Sequence, residues 1–130
     1  MILLDTHVLV FDALEPKRLS RPARLALERG VESGTLACSD ISLWEIALLI
    51  ARERIHPETD AAQFIEDIVQ ARLVNVLAIS PRIAVLAQSD DFLHGDPADR
   101  IIVATAIAHQ ATLVSADARL RKLKSVEVLW

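Results

Sequence analysis

An α/β sandwich with a mostly parallel central sheet is the fold class this sequence predicts, and three observations predict it. Short, uninterrupted apolar runs alternate along the chain with longer segments of helical pattern. The helical segments open on N-cap residues, several with proline in the first turn. The apolar runs lack the in–out alternation of half-exposed strands, which suits parallel strands covered on both faces.

Taken in order, Ile2-Leu3-Leu4 is the first strand and ends at Asp5. Ser20, followed by Pro22, opens a helix to about residue 32, and Gly34 then turns the chain into a second strand, Leu36-Ala37-Cys38. Ser42-Leu43-Trp44-Glu45 opens a helix to about residue 54, and Asp60 opens another over 61–71. A third strand covers 74–79, and Ser80-Pro81 opens a helix over 82–88. Asp96-Pro97 opens a helix from 98 to about 110, which leads into a fourth strand, Thr112-Leu113-Val114. Asp117 opens a short basic helix to about 123, and a fifth strand covers 126–129. Right-handed crossovers then bring the carboxyl ends of the strands to one edge, where such sheets bind ligands.

At 130 residues, one domain over 1–130 is expected. Hydrophobic residues make up 52% and aromatic residues 4%, so the core must be aliphatic; Trp44, Trp130, Phe11, Phe64 and Phe92 are the only large rings. Cys38 stands alone, which rules out an intrachain disulfide and favours a cytoplasmic home. No leader is visible, and the most apolar helical stretch is broken by Glu45 and Arg52, so no membrane partner is expected. The net charge of −4 argues at first against nucleic acid. Setting four of the 18 acids aside as one site leaves 14 against 14 bases, and eleven of those bases are arginines, which suit phosphate. Lys17, Arg18, Arg21 and Arg24 form one basic cluster, and Arg119, Arg121, Lys122 and Lys124 another. Each cluster reads equally as a solvated face or as an RNA contact.

The four acids are Asp5, Glu45, Asp99 and Asp117. Asp5 closes the first strand and Asp117 lies just past the fourth; Glu45 and Asp99 fall in the first turns of helices. The fold therefore sends all four to one edge. Crowded carboxylates raise one another's pKa, and a hard divalent cation removes the conflict. Oxygen ligands without a Cys or His pair point to magnesium or manganese rather than zinc. Each acid also has a second reading. Glu45 ends Ser42-x-x-Glu45, which has the form of a capping box. Asp99 would be favoured in a first turn by the helix dipole, and Asp117 could be an N-cap. Asp5 is the hardest to read as bland, since an acid directly after a buried strand gains nothing from the core.

These segments resemble the PIN-domain family, in the form of the VapC-type toxin ribonucleases of VapBC toxin–antitoxin pairs. Met1-Ile2-Leu3-Leu4-Asp5-Thr6-His7-Val8-Leu9 resembles the opening of that domain. Ser39-Asp40-Ile41-Ser42-Leu43-Trp44-Glu45-Ile46-Ala47 resembles its second motif. Asp96-Pro97-Ala98-Asp99-Arg100-Ile101-Ile102-Val103-Ala104-Thr105-Ala106 resembles the third, and Leu113-Val114-Ser115-Ala116-Asp117 the fourth. The resemblance spans the chain in order. It implies a PIN-like three-layer sandwich around a five-stranded sheet, with Asp5, Glu45, Asp99 and Asp117 as metal-site acids for Mg2+ or Mn2+. It also implies hydrolysis of RNA by metal-activated water, leaving 5′-phosphate and 3′-hydroxyl ends, with a homodimer and a VapB-like antitoxin as partners.

Thr6 and Ser115 match hydroxyl positions beside the family's site. Ser115 is expected to orient Asp117 or a metal-bound water, and Thr6 to be a turn hydroxyl bonded to backbone. Asp96 is read as a helix N-cap. Arg100 is expected to contact phosphate or to pair with a neighbouring acid. His7, His56, His94 and His109 have no metal-ligand spacing and form no credible base; His94 is read as a loop residue. Residues 43–51 are apolar nearly all round their helix, so part of that face, Trp44 included, is expected to meet a second subunit or the antitoxin.

The alternatives within the family are an RNA-processing nuclease without an antitoxin and a non-catalytic binding module. A haloacid-dehalogenase-type phosphatase would need a second acid where His7 stands. A response-regulator receiver would need an acidic pair near Asp5 and a lysine near residues 112–117; neither is present.

Overall fold

A computed structural model describes residues 1–91 and 95–130; the expectation for His94 and the ring of Phe92 lie outside them. The strands are β1 (Ile2–Leu4), β2 (Leu36–Ser39), β3 (Asn75–Leu77), β4 (Thr112–Val114) and β5 (Val128–Leu129). They form one sheet in the order β3-β2-β1-β4-β5, and every pairing is parallel. The chain steps outward from β1 to β3 and then crosses to the other side of β1 for β4. The strand order therefore reverses between β1 and β4, and a crevice opens there at the carboxyl ends.

The apolar runs divide between two cores by strict alternation. Leu4, Leu36, Cys38 and Val114 enter one core. Their neighbours Leu3, Ala37 and Leu113 enter the other. The first core is closed by α1 (Thr6–Leu14), α2 (Arg21–Ser33), α3 (Ile41–Ala51) and α4 (Ala61–Ala71). The second is closed by α5 (Pro81–Leu86) and α6 (Pro97–Ala108). Helices thus cover both faces of the sheet, which is why the strands carry no polar face.

Four N-caps stand where expected. Ser20, Asp60 and Ser80 accept from the backbone N–H three residues on, and Asp96 accepts from Ala98 and Asp99. Gly34 ends α2 at φ +66°, a left-handed conformation that suits glycine. β3 and β5 are shorter than the apolar runs at 74–79 and 126–129. The expected helix after Asp117 is only a 3-10 turn, Leu120–Lys122. α1 was not anticipated. Its Val8, Leu9, Val10 and Phe11 are all buried, so the segment shows no polar stripe of helical period. Among the described residues no helix is long and apolar enough to cross a membrane.

Candidate active site

Asp5 follows β1 in extended conformation and occupies the N-cap position of α1, yet its side chain makes no cap hydrogen bond. Its backbone carbonyl accepts from Val8 and Leu9, which starts the helix and leaves the carboxylate for the crevice. Ser115, just past β4, donates its hydroxyl to Asp5 Oδ2 at 2.6 Å and accepts from the Asp117 amide at 3.1 Å. Ser115 therefore orients Asp5 directly and Asp117 through the backbone.

Two expectations fail at α3. The helix begins at Ile41, so Ser42 lies inside its first turn and no capping box forms with Glu45. Ser42 is wholly buried, and Thr6 reaches it from α1. Thr6 Oγ1 lies 2.9 Å from Ser42 Oγ and 2.5 Å from Glu45 Oε1. An ionised carboxylate can only accept, so the single Thr6 proton goes to Glu45 and the Ser42 hydroxyl can serve Thr6 in turn. Thr6 is thus a side-chain clamp on Glu45 rather than a turn hydroxyl bonded to backbone.

Asp99 stands in the first turn of α6, one turn beyond its cap Asp96. Asp5, Glu45, Asp99 and Asp117 line one cleft of about 340 Å³, together with Asp96, His7, Phe11, Ala116 and Arg119. Burial raises Asp5 above the ordinary carboxylate range, opposed chiefly by the Ser115 hydrogen bond. Glu45 is raised by burial, with the Thr6 hydrogen bond opposing. Asp99 is pushed up to about 7, first by burial and then by the charges of Asp5, Asp96, Glu45 and Asp117. Among the described residues no three of these side chains stand close enough together to hold an ion as they are, so the acids form a loose ring. The donor set still suits a hard cation: the carboxylates are half-buried or buried, mutually repelling, and supply only oxygen.

Two basic residues of the cleft were not foreseen as part of it. His7 lies two residues past Asp5, and its protonated form favours the anions of both Asp5 and Glu45. Arg119 grips Asp117 through Nε at 3.2 Å and Nη2 at 2.8 Å, and lies 3.6 Å from Asp99. The available signal was its place two residues after Asp117, where its amide closes a tight turn onto Asp117 Oδ1. Arg100 Nε and Nη2 donate to the carbonyls of Ala87 and Ser89 and tie α6 to the end of α5.

The family model that describes the PIN domain matches residues 2–126. The chain belongs to the PIN-domain family. This PIN domain is 40% identical over 121 residues to Ribonuclease VapC22 of Mycobacterium tuberculosis, covering 92% of this chain and 89% of that protein, and so it groups with the VapC proteins. Its fold matches VapBC2 from Rickettsia felis, solved on a DNA fragment from their promoter, with a TM-score of 0.75 at 20% identity, over 100% of this chain and 99% of that one. A toxin–antitoxin complex from Klebsiella pneumoniae matches with a TM-score of 0.64 at 20% identity, over 100% and 97% of the two chains.

Proposed function

We propose that this PIN domain is a single-domain, divalent-metal-dependent endoribonuclease acting in the cytoplasm as the toxin half of a toxin–antitoxin pair. One observation carries the proposal. Four carboxylates from four separate parts of the chain line one cleft at the switch point of the sheet, and burial together with neighbouring charge raises the pKa of Asp5, Glu45 and Asp99. The kinship with a protein named Ribonuclease VapC22, and the fold shared with toxin–antitoxin complexes, support the substrate class and the partner.

Asp5, Glu45, Asp99 and Asp117 would hold Mg2+ or Mn2+, which supplies Lewis-acid stabilisation of the phosphate and lowers the pKa of a bound water. The chain's own contribution is to set those carboxylates. Ser115 holds Asp5 in one rotamer, and Thr6 holds Glu45 across the gap between α1 and α3. A single-stranded RNA would offer its phosphate backbone to the cleft without its bases having to be read in a groove. A VapB-like antitoxin would block it with a basic side chain presented to the same acids. Beside the cleft, Trp44 is 59% exposed. It borders an apolar groove of about 480 Å³ lined also by Ile41, Leu48, Pro97 and Ile101, which a second copy would cover in a homodimer.

The test is cleavage of a single-stranded RNA by the purified chain with and without Mg2+ or Mn2+. Cleavage should require the ion, stop on chelation, and fall by at least about 100-fold in Asp5→Asn, since metal activation supplies several kcal/mol to the transition state. Cleavage that persists in the chelator would overturn the metal-dependent mechanism.

A further inference from the structure

The site already contains a cation of its own. Arg119 sits 61% exposed on the turn after β4, and both oxygens of Asp117 are occupied by it. The same guanidinium lies within ion-pair distance of Asp99, which comes from a different element. The Arg119 amide bonds Asp117 Oδ1 at 2.8 Å, so the backbone turn fixes where the side chain starts. A guanidinium carries five donors in a planar fork and matches a carboxylate or a phosphate equally well.

We infer that Arg119 competes with the divalent ion for Asp117 and Asp99, and that binding of the ion frees it to take a phosphate of the RNA. This rests on the metal-dependent reading of the cleft. While Arg119 spans them, both oxygens of Asp117 and Oδ2 of Asp99 face the guanidinium, so an ion must compete with it for those lone pairs. Because the Arg119 side chain is exposed, its hold is weak enough to be exchanged. By linkage, whatever the ion loses to Arg119, Arg119 loses to the ion. A freed guanidinium on the rim of the cleft meets the phosphodiester, which brings the charge that Asp117 no longer offers.

The variants are Arg119→Gln, Arg119→Lys and the control Arg121→Gln, which removes the same charge from an exposed position two residues on. Mn2+ affinity is measured by calorimetry on the RNA-free protein, and KM by cleavage of a single-stranded RNA. Arg119→Gln should bind Mn2+ roughly five times more tightly than wild type, and Arg121→Gln within about twofold of it, since a fully solvated charge is largely screened. Arg119→Lys keeps the charge without the fork and should fall between. KM should rise about fivefold in Arg119→Gln, as expected for one lost phosphate contact. Tighter metal binding with weaker substrate binding is a pair of opposite shifts that a purely structural role does not produce. If Arg119→Gln binds Mn2+ no more tightly than Arg121→Gln does, the competition is wrong while the metal site stands. An unchanged KM overturns the phosphate contact. Wild type that binds no Mn2+ overturns the metal-dependent reading itself.

Discussion

Asp96 and Asp99 lie three residues apart at the start of one helix, and their surroundings separate their roles. Asp96 accepts from two backbone amides at the N-terminus of α6. Replacing such a cap with alanine costs about 1 kcal/mol. Asp96→Ala should therefore lower the melting temperature and leave much of the metal-dependent cleavage. Asp99 has the opposite profile. Its folded pKa of about 7 lies above its ordinary value of 3.8, so the folded protein holds that proton more tightly than the unfolded chain does. Stability from this group is fully present below about pH 4 and is lost as the pH rises toward 7; Asp5 and Glu45 are shifted in the same direction. The metal-free protein should thus melt higher at pH 5.5 than at pH 7.5, by roughly a few degrees. Asp99→Asn should flatten that slope, hold or raise stability at pH 7.5, and lose both cleavage and most of the stabilisation by added Mg2+. If Asp96→Ala loses the metal response instead, the third acid of the site is Asp96. Neither His7 nor Arg119 was legible as part of the cleft, because each lies two residues past an acid, His7 in the first turn of α1 and Arg119 in the turn after β4, and the direction of each side chain depends on how those segments pack.

At the scale of elements, the site depends on how closely α2 lies against the sheet. Gly30 is in the last turn of α2, and a Cβ there would fall 2.7 Å from Leu36 Cδ1 and 3.3 Å from Leu36 Cβ. Leu36 is wholly buried at the start of β2, so it has little room to yield. Gly30→Ala gains up to about 1 kcal/mol of helix propensity, but overpacking of this kind costs about 1–3 kcal/mol. The variant should unfold at lower urea, with an unchanged slope. A higher midpoint would mean that α2 can slide without cost. The consequence reaches the cleft because β2 runs directly into α3, the helix that carries Glu45. Helix starts with a capping side chain were legible at Ser20, Asp60, Ser80 and Asp96. The start of α3 was not, because the Ser42-x-x-Glu45 pattern is the same whether Ser42 caps the helix or is buried in it against Thr6.

For the molecule as a whole, the exposed ring of Trp44 is the feature an isolated domain leaves unexplained. Only Ile46 among the apolar side chains of α3 is fully buried, and Trp44 borders the apolar groove beside Glu45. Exposed aromatic surface of this kind marks an interaction site. The protein should run as a dimer by light scattering at roughly 10–100 µM, a concentration range in which a micromolar interface is largely occupied. Trp44→Glu should shift it to monomer with its far-UV circular dichroism intact, since the ring supports no core. A wild-type monomer would overturn the homodimer, and an unaltered dimer in Trp44→Glu would place the interface elsewhere.

The sequence by itself determined the alternation of strands and helices, the parallel sheet, and the four acids that share its edge. Those features are local: apolar runs, caps and an acid at a strand end are each set within a few residues, and right-handed crossovers order the rest. Tertiary structure alone decided how the acids are held. Thr6 and Glu45 are 39 residues apart and Ser115 and Asp5 are 110 apart. Arg119 reaches Asp99 from another element. No pattern along the chain encodes such pairs, because a hydroxyl or a guanidinium takes the partner that packing brings within 3–4 Å, and that is settled only when the two cores close over the sheet.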